Sequence, residues 1–220
     1  MTDPVQTELD ELELDALTEL VNLGVSRAAT NLRDMVGQQV LLSVPTVALM
    51  SRERAIEVLG EREPKRLIAV HQVFEGDITG RALLIFPEIK SLELVRAVTG
   101  SDLPLEDIIE LEQEALTETG NVVLNGCLAT IANLLHRRLK ISLPELLRGE
   151  GPEFFDLAPP PERGDVVIFI YINFVVKKHD VSGYIAMLMD MPSLSALKGL
   201  LRDFIHRATG DGAPDGDIRA

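Results

Sequence analysis

The sequence has a single cysteine, Cys127, so it can close no disulfide within the chain and build no cysteine-ligated metal cluster. Histidine is almost as scarce. His71, His136, His179 and His206 are widely spaced, which argues against a histidine-rich metal site. Positive charge is in deficit: 21 Lys and Arg stand against 35 Asp and Glu, a formal charge of −14 at pH 7. A basic stripe for nucleic acid, or for an anionic lipid surface, is therefore missing. Long hydrophobic runs are missing too. The most apolar stretch, Val166–Val176, has 11 residues and is interrupted by Asn173. That is strand length, too short for a membrane-spanning helix. The N-terminus reads Met-Thr-Asp-Pro and then acidic, with no basic segment leading into an apolar run. These absences predict a cytoplasmic soluble protein with no nucleic-acid partner and no membrane insertion.

What is present is enough for a packed core. Hydrophobic residues make up 46% of the 220 and charged residues 25%. Residues 12–35 follow a helical period that ends at Gly37. Residues 39–50 read as extended, with Pro45 marking an edge or an irregularity. A short helix is expected over 51–59, capped by Ser51 and stopped by Gly60. Residues 67–74 and 81–86 read as a hairpin, and 88–98 as a helix. The order then restarts. Residues 107–138 are helical, with Gly120 and Gly126 as candidate bends or breaks. Residues 140–147 are extended around Pro144, and 149–164 read as a loop rich in glycine and proline. Strands at 166–176 and 184–189 and a helix at 193–207 complete the chain. The segment 209–220 reads as a disordered tail.

The restart is an internal repeat. Glu19, Asn22 and Pro45 recur as Glu118, Asn121 and Pro144, each 99 positions later. The string Ala-Leu-Thr-Glu at 16–19 recurs at 115–118, and Thr79-Gly80 feeds a strand as Ser182-Gly183 does. We therefore expect one duplicated unit over 10–208, with halves at 10–103 and 104–208. One continuous sheet would join halves related by a pseudo-twofold. The loop at 149–164 is expected to replace, in the second half, the short helix of 51–59.

At about 100° per residue, Asp15, Glu19, Asn22, Ser26 and Arg33 share a stripe about 60° wide. Leu17, Leu20, Val21, Gly24 and Ala28 form the opposite, buried face. Gly24 and Ala28 are small enough to let a neighbour pack close. The second copy aligns Glu114, Glu118, Asn121 and Asn125 in the same way and turns Cys127 inward, as a core thiol rather than a nucleophile. A solvated helix face accounts for such stripes as well as a site does on spacing alone. Two asparagines in mid-helix, each three residues after a glutamate, resist that bland reading, because asparagine is a mediocre helix former. The chemistry open to the pair is modest: a glutamate pairs with a cation, and an amide donates one hydrogen bond and accepts another. Together they can place a water but not attack. Such a site suits a reaction whose activated group and metal sit on a macromolecular partner.

These residues resemble the signature of the CheC phosphatase family of chemotaxis, to which CheX and the phosphatase-like part of FliY are related. That signature is Asp or Ser, three residues, Glu, two residues, Asn, then about 22 residues and Pro. Asp15, Glu19, Asn22 and Pro45 match it, with 22 residues between Asn22 and Pro45. Glu118, Asn121 and Pro144 match it again, with Glu114 where the signature has Asp or Ser. The resemblance implies an α+β fold: an internally duplicated, pseudo-twofold antiparallel sheet with the long motif helices packed on one outer side. It also implies hydrolysis of the aspartyl phosphate of a CheY-type response regulator. Asn22 and Asn121 would orient the attacking water, and Glu19 and Glu118 would pair with the regulator's lysine. Asp15, Ser26, Glu114 and Asn125 would support or dock. No metal site is implied on this chain, and Mg2+ would be held by the regulator. A non-enzymatic adaptor that binds CheD or phosphorylated CheY, in chemotaxis or the flagellar switch, is the alternative. A metal-dependent hydrolase fits poorly, since neither Asp15 nor Glu19 has a histidine at helical spacing.

Overall fold

The computed structural model describes residues 9–37, 39–63, 65–99, 104–156, 166–176 and 179–209. Helix α1 (Glu11–Val36) opens the chain, followed by strand β1 (Val40–Ser51) and helix α2 (Arg52–Arg62). Strands β2 (Leu67–Gly76) and β3 (Gly80–Pro87) form a hairpin, and a 3-10 turn at Glu88–Lys90 leads into α3 (Ser91–Thr99). The second series is α4 (Leu105–Leu134), β4 (Leu139–Ile141), β5 (Glu145–Gly149), α5 (Gly151–Phe155), β6 (Val166–Val176), β7 (His179–Met189) and α6 (Met191–Thr209).

Local chemistry sets the ends of α1. The Asp10 carboxylate accepts from the Glu13 amide, and the Glu13 carboxylate accepts from the Asp10 amide, so two orphan donors are satisfied at once. Gly37 closes the helix in the left-handed region, at φ 68°, where a Cβ would be strained. Ser51 caps α2 as its hydroxyl accepts from the Arg54 amide. Gly60 does not stop that helix, which runs on to Arg62.

All seven strands lie in one antiparallel sheet, ordered β1-β6-β7-β3-β2, with β4 and β5 both pairing with the outer side of β2. Each series thus lends its first strand to the other's hairpin: β1 pairs with β6, and β4 and β5 pair with β2. The two hairpins join at β3–β7, giving the sheet its pseudo-twofold. Both motif prolines sit where pairing is interrupted. The β1–β6 register shifts between Ser43 and Thr46, around Pro45, and Pro144 lies in the gap between β4 and β5.

Alternation along the strands feeds two cores. Ile68, Val70, Leu84, Ile168, Ile170 and Ile185 point toward α1, α3, α4 and α6. Leu67, Ala69, Leu83, Val167, Phe169 and Tyr184 pack with residues of α2 and α5 on the other face. The long helices lie together on one side, as expected, and short helices cover the opposite side.

Several expectations need correction. Helix α4 runs unbroken through Gly120 and Gly126 and stops at Leu134, with His136 in the left-handed region at φ 56°. The glycines serve close approach instead. A Cβ on Gly120 would lie 2.4 Å from Val70 on β2, and one on Gly126 3.0 Å from Ala28 on α1. Gly24 meets Cys127 in the same way, with a built Cβ 3.0 Å from its carbonyl oxygen and Sγ. The expected loop at 149–164 contains the end of β5 and helix α5, so the second series has its own short helix after its first strand. Glu150 and Glu153 form a reciprocal cap there, which the glycine and proline content masked. Residues 157–165 and 210–220 lie outside the described residues, while Thr209 ends α6. Strand β7 begins at His179 rather than at residue 184.

Candidate functional site

The two stripes lie on the sides of α1 and α4 turned away from their buried residues. On α1, Leu17, Leu20, Val21, Gly24 and Ala28 are buried, which leaves Asp15, Glu19 and Ser26 exposed and Asn22 half-buried. On α4, Leu116, Val123 and Cys127 are buried, Glu114 and Glu118 are exposed, and Asn121 and Asn125 are half-buried. Burial pushes the Cys127 thiol up to about 12, so it is a neutral core group.

The halves match in the placement of the motif and differ in how it is held. Asn121 Oδ1 accepts from Asn125 Nδ2 at 2.6 Å and from Gln72 Nε2 at 3.2 Å. Gln72 lies on β2 beneath α4 and is fully buried. Its Nε2 also donates to the Ser142 carbonyl at 2.9 Å and lies 3.4 Å from Asn125 Oδ1. Ser142 is itself stapled to β2. Its amide donates to the Val73 carbonyl and its hydroxyl accepts from the Val73 amide, both at 2.9 Å. Among the described residues, no side-chain hydrogen bond engages Asn22, Glu19 or Asp15, nor Glu114 or Glu118.

The strand beneath explains the difference. On β2, His71 faces Glu145 and Phe74 faces Ile141, and on β6, Tyr171 faces Thr46 and Phe174 faces Leu42, each partner 99 positions earlier. Gln72 therefore corresponds to Ile172, a buried residue with no side-chain donor. Sequence reading missed Gln72. The available signal was its polarity on a strand face otherwise made of Ile68, Val70 and Phe74.

A second missed pair anchors the helices. Glu13 is buried on α1 and receives Arg202 Nε at 2.6 Å, with Lys198 Nζ at 3.8 Å, both from α6. Glu112, 99 positions later, accepts from Arg148 Nη2 at 2.7 Å and from the Ser91 hydroxyl. Each motif helix is thus pinned two residues before its stripe. A groove of about 260 Å³ runs beside Glu114 and Glu118, with Met35 and Leu111 supplying apolar walls. Among the described residues, no three His, Cys, Asp or Glu side chains converge as metal ligands. No helix there is long and apolar enough to cross a membrane.

A single antiparallel sheet built from two interlocked helix–strand–hairpin series, with two crossed motif helices on one face, defines an α+β class of protein shared with known structures. FliY of Thermotoga maritima superposes with a TM-score of 0.69 over 89% of this chain and 98% of that one, at 16% identity. Residues 12–49 match the model of the CheC-like family. The CheY-P phosphatase CheC of Bacillus subtilis (strain 168) is 27% identical over 144 residues, 63% of this chain and 67% of that protein. The flagellar motor switch phosphatase FliY of the same organism is 21% identical over 212 residues, 94% of this chain and 53% of that protein.

Proposed function

We propose that this chain is a phosphatase that hydrolyses the aspartyl phosphate of a CheY-type response regulator through two Glu-x-x-Asn sites. The observation that carries the reading is the paired placement of Glu19/Asn22 and Glu118/Asn121 on the outward sides of α1 and α4. The names of the relatives in Bacillus subtilis, a CheY-P phosphatase and a motor switch phosphatase, support it.

The chemistry divides between the partners. An acyl phosphate is already activated, so the reaction needs a water in line with the scissile P–O bond and charge stabilisation around the phosphoryl oxygens. A water oxygen bonds to phosphorus as the aspartyl P–O bond breaks, releasing the regulator's carboxylate and inorganic phosphate. Asn22 or Asn121 places that water, and holding it in position removes entropy from the barrier. Glu19 or Glu118 pairs with a lysine of the regulator and orients the complex. Asp15 and Glu114 extend the acidic face one turn further, and Ser26 lies one turn beyond Asn22. Asn125 acts through Asn121, to which it is hydrogen-bonded. Mg2+, held by the regulator, would offset charge on the phosphoryl group.

The test is the decay of phosphorylated regulator with Mg2+ present. The phosphatase reading expects faster decay with this protein than without it. Tight binding with unchanged decay would overturn the reading and leave an adaptor, with CheD the next partner to try.

A further inference from the structure

The Asn121 amide has one free end. Its Oδ1 is occupied by Gln72 and Asn125, while its Nδ2 has no partner among the described residues. Gln72 gives both of its amide protons to this cluster and to the Ser142 carbonyl, which leaves its own Oε1 buried and unpaired. An unpaired buried carbonyl is costly. The corresponding position of the other half is filled by Ile172 with no such cost. Burial and apolar packing alone would therefore be met by an isoleucine at position 72.

We propose that Gln72 is the positioning residue of the second site: its donation to Oδ1 turns the Asn121 amide so that only the Nδ2 donor faces outward. The proposal rests on the phosphatase reading and deepens it. An amide that can only donate holds an oxygen, either the attacking water's or a phosphoryl oxygen, and pre-setting its rotation removes a conformational search from the bound complex. Asn22, with no such tether, presents either end of its amide. The two sites thus share a motif and differ in how far it is pre-set.

The test uses full-length protein in an Asn22→Ala background, where the second site acts alone. Gln72→Ile is expected to lower kcat roughly tenfold with KM unchanged, the pattern of a misplaced group rather than weakened docking. Gln72→Glu supplies an acceptor where a donor stood. It should be impaired at about pH 8 and recover toward about pH 6, as a buried carboxyl protonates and donates again. With Asn22 restored and Asn121 replaced by alanine, so that the first site acts alone, Gln72→Ile should cause no further loss. The side-chain amide resonances of Asn121, followed by 15N NMR, should shift in Gln72→Ile while the backbone spectrum of α1 stays in place. An equal loss in the Asn121→Ala background, or unmoved Asn121 amide signals, would overturn the proposal. If wild type fails to accelerate decay at all, the phosphatase reading falls, and the Asn121 signals still decide the role of Gln72.

Discussion

The first and second sites carry the same pair of residues at the same place along equivalent helices, yet the surroundings hold them differently. Asn22 stands on α1 without a side-chain tether among the described residues, whereas Asn121 is locked to β2 and to its own helix. The cause lies one layer down, in Gln72 against Ile172. A motif read along a helix gives the chemistry available, and the strand beneath sets how rigidly that chemistry is presented.

Charge reversal should give the largest effect and would show whether the two sites work alike. Under the proposed function, Glu118→Lys in an Asn22→Ala background, and Glu19→Lys in an Asn121→Ala background, would each set a cation against the regulator's lysine. Each should lower kcat/KM by roughly a hundredfold, since like charges in contact cost several kcal/mol. Loss in one background alone would reduce the protein to a single working site.

Gly120→Val separates the halves by packing. A Cβ there meets Val70 at 2.4–2.5 Å, so α4 must lift from β2, at a cost of about 1–3 kcal/mol. Chemical denaturation reads the loss. Activity of the isolated second site should fall further than that of the isolated first, because the same shift parts Asn121 from Gln72.

The anchoring glutamates offer a smaller contrast. Glu13→Ala strips a buried carboxylate from the Asp10 amide and from Arg202, and should cost about 1–3 kcal/mol. Glu112→Ala removes a partner that is more exposed, paired with a partly exposed Arg148, and should cost less. Melting temperatures of the two variants give the order directly, and a reversed order would contradict the assignment of Glu13 as the stronger pin.

The smallest effect is a pH dependence confined to one side. His71, beside Gln72 on β2, has its pKa held below the ordinary value, by burial first and Arg81 second, against the opposing pull of Glu145. The unfolded chain then binds the proton more readily than the folded one. The stability from neutral His71 is full above about pH 6.5 and is lost as pH falls through the lowered folded value. The corresponding residue of the second hairpin is Tyr171. His71→Phe should flatten the stability profile below about pH 6.5, as followed by thermal melts, and an unchanged profile would remove His71 as its source.

Most of the fold was legible because its signals are periodic and repeated. The stripes of α1 and α4, the hairpin strands and the 99-residue offset all stand in the one-dimensional pattern. What stayed hidden depends on contacts across the sheet. Gly120 and Gly126 look like helix breakers in sequence, and only the approach of β2 and α1 shows why they are needed. The helix Gly151–Phe155 was obscured by local composition and is held by a reciprocal Glu150–Glu153 cap. The stripe residues were placed by helical geometry alone. Gln72, distant in sequence from Asn121, gave no spacing that periodicity could detect.

The central claim is that two amides on two helices serve one hydrolytic reaction. Its most direct test is the decay of phosphorylated CheY-type regulator with wild type, Asn22→Ala, Asn121→Ala and the double substitution, with Mg2+ present throughout. The account predicts accelerated decay with wild type, partial acceleration with each single variant and none with the double. Acceleration that survives in the double variant would contradict it.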